Sequence, residues 1–412
     1  MRQGRWLAGI ALITLVTGCG PPSSGGDDDD PGNDGQVGVD APFNGCASAT
    51  YDAVQVPAAM LVVLDRSSSM AMNSKWTFAA QAIVEALDAD SFDGMHVGLY
   101  AAPSGSQAGP SCLLGLPVSC QAPPFPQVDL ALAGADKSGA ASGVRRRIKD
   151  WLTTNSPDNG LGDASPMHAA LTAANSSLTA WPMAGKRIIL AVTDGTLSCN
   201  QFSNRPGYPD CNGCNHDWEN PQNIVELVAT AYLDGAKPIE TFVVGVPGAD
   251  TFDSTGCNFP PYRMRQALSA IAWAGSPTHV PAACTGRAYL QSGADPTTSC
   301  HFDMTQGGFT AQRLADAIAS VRGAAVGCIL ELPRPPDGST IDRTRVNVRI
   351  VADSVTSELS KRQSMTNQCL TTGCWDYTSD GKVELIGKAC DDVRAARSIQ
   401  VKVETGCTTR VL

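Results

Sequence analysis

Residues 61–70 read LVVLDRSSSM. They close a continuous apolar run, AAMLVVLD (58–65), of the kind shown by a strand buried on both faces. The run ends at one carboxylate, Asp65, and three consecutive serines follow. Taken alone, the segment has two readings. A serine after a strand can cap the helix that comes next. Alternatively, Asp65, Ser67 and Ser69, at alternate positions of a tight loop, point the same way and offer oxygen ligands to a hard cation. The pentapeptide does not decide between them.

The chain on either side supplies the context. KWTFAAQAIVEAL (75–87) puts Trp76, Ala80, Ile83 and Leu87 on one helical stripe. HVGLYAA (96–102) reads as a second strand, followed by a proline- and serine-rich excursion. VRRRIKDWL (144–152) is in helical phase through Val144, Ile148 and Leu152. PMHAALTAANSSL (166–178) is a further helix, with Pro166 suited to its first turn. KRIILAVTDG (186–195) is a strand ending at Asp194. IVELVATAYL (224–233), MRQALSAIAWAG (264–275) and FTAQRLADAIASVR (309–322) are helices, and IETFVVGV (239–246) is a strand. This alternation predicts an α/β fold with a doubly wound, mostly parallel sheet. Such sheets collect ligands at the carboxyl ends of their strands. Asp65 and Asp194 both stand there, and LGDASPMHAAL places Ser165 in a loop before a helix. Three loops therefore offer oxygens to one place.

Those three segments, VVLDRSSSM, LGDASPMHAAL and LAVTDG, resemble the von Willebrand factor type A (VWA) domain and its metal-ion-dependent adhesion site (MIDAS). The resemblance runs from about residue 55 to 325. It implies Asp65, Ser67, Ser69, Ser165 and Asp194 as metal-site residues, Asp194 acting through water, and Mg²⁺ (or Mn²⁺) as the ion. Ser165 stands where the family usually has threonine. It keeps the hydroxyl and loses the methyl that restrains the rotamer, and Asp163 nearby is an alternative donor.

The amino terminus sets the compartment. Arg2 and Arg5 precede WLAGIALITLV (6–16), an apolar run too short to span a bilayer and suited to a signal-peptide core. LVTGC resembles a bacterial lipobox, which implies a signal peptide over 1–18 and lipidation of Cys19. Acyl chains then anchor the protein without a spanning helix. Gly20 replaces the aspartate that signals inner-membrane retention, so an outer-membrane location in the bacterial cell envelope is expected. Residues 19–50 are rich in aspartate, glycine and proline, and read as an acidic disordered tether. Asp27 to Asp30 begin no calcium-loop pattern and read as charged linker. The net charge of −10 lacks the basic footprint of a nucleic-acid binder.

Fifteen cysteines suit an oxidising compartment. Cys112/Cys120 and Cys369/Cys374 are plausible pairs. Beyond Cys328, RVNVRIVA (345–352), KVELIG (382–387) and SIQVKVETGC (398–407) read as short strands of a cysteine-rich β module over 328–412. It is too small for a large core of its own and is expected to pack on the main domain. A looser resemblance to bacterial exported lipoproteins, with a VWA domain and a cysteine-rich tail, supports the boundary near Cys328.

Rival sites are weaker. Cys211, Cys214 and His216 could mark zinc or a redox dithiol, but no second ligand pair follows, and structural disulfides are the simpler reading. Of His96, His168, His216, His279 and His301, only His168 lies near the proposed site in sequence. No G-x-S-x-G, H-E-x-x-H or phosphate-loop motif occurs. The expected function is that of a membrane-anchored, exported binding or adhesion protein, not an enzyme. It would engage a carboxylate on a protein or extracellular polymer, with loops at about 103–140, 197–222 and 276–300 setting specificity. A metal-independent envelope scaffold is the second reading and an unrecognised hydrolase the third.

Overall fold

The computed structural model describes residues 49–52, 54–55, 57–103, 109–110, 117–118, 122–157, 165–195, 197, 220–253, 262–325, 327–332, 340–396 and 399–412. The expected signal peptide, Cys19, Asp27 to Asp30, Cys112, Cys120, Asp163, Cys211, Cys214 and His216 lie outside them, as does the expected acidic tether through residue 48. The described residues all belong to one compact unit, Cys46–Leu412.

Six strands form the central sheet: β1 (Ala58–Asp65), β2 (His96–Ala102), β3 (Val128–Leu132), β4 (Lys186–Thr193), β5 (Ile239–Gly245) and β6 (Phe302–Asp303). Their order is β6-β5-β4-β1-β2-β3. All neighbours run parallel except β3, which is antiparallel to β2 at the edge. The chain leaves β1 toward β2 and β3, then crosses back to add β4, β5 and β6 on the other side. The order therefore reverses between β1 and β4, where a doubly wound sheet opens its ligand crevice.

Alternation along β1 explains the two layers. Met60, Val62 and Leu64 face one side, and Ala59, Leu61 and Val63 the other. The first side packs α1 (Lys75–Leu87) through Trp76 and Ile83, α2 (Val144–Thr154) through Ile148, and α6 (Ala311–Ala325) through Leu314 and Ile318. The second packs α3 (Met167–Ala180) through Leu171 and Leu178, α4 (Pro221–Tyr232) through Ile224, and α5 (Met264–Gly275) through Leu268 and Ile271. Three helices on each face leave β1 and β4 with no polar face, hence their unbroken apolar runs.

A third core gathers Leu330, Val348, Trp375, Leu385, Val393 and Val403. Two four-stranded sheets surround it, with α7 (Lys388–Ala395). Each recruits a strand from ahead of β1. Ala49–Asp52 pairs with Ile399–Thr405, and Val54–Gln55 pairs with Ile329–Glu331, both antiparallel. The chain thus enters the central sheet from the sheets to which it later returns. Cys328–Cys390 and Cys369–Cys374 are disulfides here, as is Cys284–Cys300 beside the central sheet. The expected Cys369/Cys374 pair is therefore present. At Gly323 on α6, a Cβ would lie 2.8 Å from the Arg394 carbonyl of α7. Arg322 beside it is buried and donates to the carbonyl of Ser91 at 2.8 Å and that of Ala396 at 3.4 Å.

Candidate functional site

The register of the two central strands fixes the first half of the site. Leu64 is abreast of Val192, so Asp65 at the end of β1 comes level with Thr193, and Asp194 follows immediately. The loop after β1 is held by Arg66, whose Nε donates to the Asn155 carbonyl at 2.8 Å beyond α2. Ser165 arrives from the segment just before α3.

These residues form one hydrogen-bonded cluster. Asp65 Oδ1 accepts from the Ser67 amide at 2.8 Å. Its Oδ2 accepts from the Ser165 hydroxyl at 3.0 Å and the Thr193 hydroxyl at 2.7 Å. The Ser67 and Ser69 hydroxyls are 2.9 Å apart, and Ser69 donates to Asp194 Oδ1 at 2.8 Å. The Lys75 ammonium is bonded to Asp194 Oδ2. Asp65, Ser67, Ser165, Thr193 and Asp194 are buried and Ser69 half-buried. All five residues expected at the site are thus brought together.

The capping alternative is also settled locally. Ser67 precedes a 3₁₀ turn (Ser68–Ser74) and Ser74 precedes α1, yet neither side chain caps its helix. The Ser69 hydroxyl goes to a carboxylate instead. A glycine closes the site from the loop after β5. Gly248 has φ +114°, and a Cβ there would lie 2.7 Å from the Asp194 carbonyl oxygen.

Burial raises the Asp65 carboxyl above its ordinary range, and the nearby Asp194 charge raises it further; the amide and hydroxyl donors pull it partly back. Two buried carboxylates this close call for positive charge. Ser69 and Ser165 each donate their proton to a carboxylate and retain oxygen lone pairs for a cation. Carboxylate, hydroxyl and water oxygens are the donor set of Mg²⁺ or Mn²⁺. Among the described residues no three His, Cys, Asp or Glu side chains cluster as a metal site. The two carboxylates and up to three serine hydroxyls brought together here are a donor set that fits an oxygen-seeking ion that keeps water.

Two contributors escaped the sequence analysis. Thr193 precedes the recognised aspartate and carries no pattern of its own. Lys75 does leave a signal, since it is a cation at the first position of a helix, where the macrodipole disfavours positive charge.

No protein-family model matches the sequence, and no curated protein matches it. Three solved structures illustrate what the fold is similar to. The pilus adhesin SpaC of Lactobacillus rhamnosus GG is 14% identical, with TM-score 0.44, over 86% of this chain and 40% of that one. The conserved hypothetical protein BatB of Bacteroides thetaiotaomicron is 22% identical, with TM-score 0.29, over 53% of this chain and 86% of that one. Proximal thread matrix protein 1 of the mussel byssus, in a form with a zinc-occupied MIDAS motif, is 14% identical, with TM-score 0.27, over 48% of this chain and 38% of that one. The chain spans two-fifths of the SpaC chain it matches.

The described histidines lie apart from these bonds. His168 is half-buried on the first turn of α3, and burial lowers its pKa. His96 packs its ring against Trp181 at 5.3 Å, and His279 faces Glu240 at 3.5 Å. His301 is buried, with Nδ1 3.2 Å from the Ser269 hydroxyl and Nε2 without a partner. Desolvation lowers its pKa from 6.5 to about 4. The folded state therefore binds fewer protons than the unfolded state between those values. His301 contributes stability that is complete above pH 6.5 and is lost as pH falls toward 4, about 3 kcal/mol in all. Urea denaturation at pH 7.5 and 4.5 measures the loss, and His301→Gln should remove that part of it.

Proposed function

We propose that this chain is an exported, lipid-anchored binding protein whose Asp65–Ser67–Ser69–Ser165–Asp194 cluster holds Mg²⁺ or Mn²⁺. Through that ion it engages an acidic group on a protein or extracellular polymer. The single observation that supports the reading is the convergence of three loops on two buried carboxylates. With Lys75, those carboxylates leave the cluster one unit negative. A divalent cation would make it one unit positive, and a partner's carboxylate would balance the charge. The proposed role is binding, with no catalytic step.

Thermal unfolding with Mg²⁺ against EDTA tests the metal. At a hundredfold excess over Kd the wild type should gain about 2.7 kcal/mol, and Asp65→Ala should gain nothing. A pull-down with Mg²⁺ against EDTA tests the partner. A wild type indifferent to both metals would leave the metal-independent scaffold, which the buried Lys75–Asp194 pair itself favours as the second reading. For the anchor, Cys19→Ser should release the protein from membranes, and retention would refute lipidation.

A further inference from the structure

The Lys75–Asp194 pair is buried on both sides, with side chains 7% and 2% exposed. An isolated charge at either position would be costly. Yet Lys75 sits where its helix disfavours it. It opens α1, whose first turn carries no acidic residue. The two residues before it, Asn73 and Ser74, both have left-handed backbone, with φ +53° and +60°. Neither is glycine, and side chains other than glycine adopt such backbone at a cost. The local chain accepts both penalties and ends with an ammonium on the second aspartate of the cluster.

From this we infer that Lys75 is an internal counter-cation of the cluster, which a divalent ion must displace or outcompete at Asp194, so that Lys75 sets the metal concentration the site needs. The inference rests on the metal reading given above. Asp194 has one oxygen on the Ser69 hydroxyl and the other on the ammonium. An ion, or its water, that draws on Asp194 takes an oxygen already engaged. It also arrives beside a fixed positive charge in a poorly hydrated place, where repulsion is weakly screened. A Cβ built at Gly248 would lie 3.5 Å from the Lys75 nitrogen. The loop after β5 thus lies close over the pair. The wild type is then partly charge-compensated without metal, with Asp194 paired and one negative charge left, and binds the ion more weakly than its two carboxylates alone would.

The test compares the full chain with Lys75→Met, which keeps length and removes charge, and Lys75→Gln, which keeps a hydrogen-bond donor. Each is stripped with EDTA and titrated calorimetrically with Mn²⁺ and then Mg²⁺, alongside metal-free unfolding curves. Both variants should bind the ion at least tenfold more tightly than wild type and be less stable in EDTA. Binding by wild type and variants with the same constant would overturn the role of Lys75 and leave the metal site standing. An absence of binding in all three would overturn both. If the variants fold only with metal present, the ion replaces the lysine and the inference holds. If they fail to fold with or without metal, Lys75 is a structural prop and the inference falls.

Discussion

Asp194→Ala in metal-free protein should cost about 3 kcal/mol of stability, because it strands the Lys75 ammonium in a buried place. Removing one partner of a buried ion pair costs more than the pair is worth, since the survivor has lost water and gained nothing. The Ser69 hydroxyl loses its acceptor in the same step. One effect runs the other way. Asp194 raises the Asp65 carboxyl by charge repulsion, so its removal relieves Asp65. That relief places the expected loss at the lower end of the range for broken buried pairs. Lys75→Met added to Asp194→Ala should recover most of it, because no charge is then left alone. Urea denaturation in EDTA of the two single variants and the double variant completes the cycle. A cost for Asp194→Ala below about 0.5 kcal/mol would mean that water reaches the pair and that it behaves as a surface ion pair.

The parts of this molecule legible in its sequence share one physical cause. β1 and β4 are buried on both faces, so they leave continuous apolar runs that nothing else of their length explains. The site residues were legible because a parallel sheet aligns its strand ends, which brings Asp65 level with Thr193 across 128 residues of chain. β3 was not legible. It is an antiparallel edge strand with only Val128 buried, inside a stretch rich in proline and serine. β6 has two residues, too few for any period. Ala49–Asp52 and Val54–Gln55 were missed for a different reason. Their partners lie more than 270 residues away, and short polar strands of that kind are specified by the sheet they join. Lys75 was visible only as a violation of helix electrostatics, and such violations tend to gather at functional sites.

Replacing Cys328 and Cys390 together by alanine should cost about 4 kcal/mol. The disulfide closes a loop with a sequence separation of 62. In the chain-entropy account its value grows with the logarithm of that length. The loop encloses most of the strands around the third core, including Val346–Ala352 and Val383–Ile386. One end lies just beyond α6 and the other on α7, where Gly323 and Arg394 approach closely. Unlinking them frees the segment that joins the third core to the central sheet. Alanine is the right replacement, since a buried serine would add an unsatisfied hydroxyl. Cys369–Cys374 supplies the internal control. Its cysteines are buried too, somewhat more deeply, but their separation is 5, so its loss should cost about 2 kcal/mol. Denaturant midpoints and slopes for the two double variants separate loop entropy from packing. If both cost the same, the bonds act through local packing, and the long loop adds nothing to the unfolded chain's freedom. If the first costs about twice the second and steepens the slope, because the freed unfolded chain exposes more surface, the Cys328–Cys390 bond works by constraining the unfolded chain.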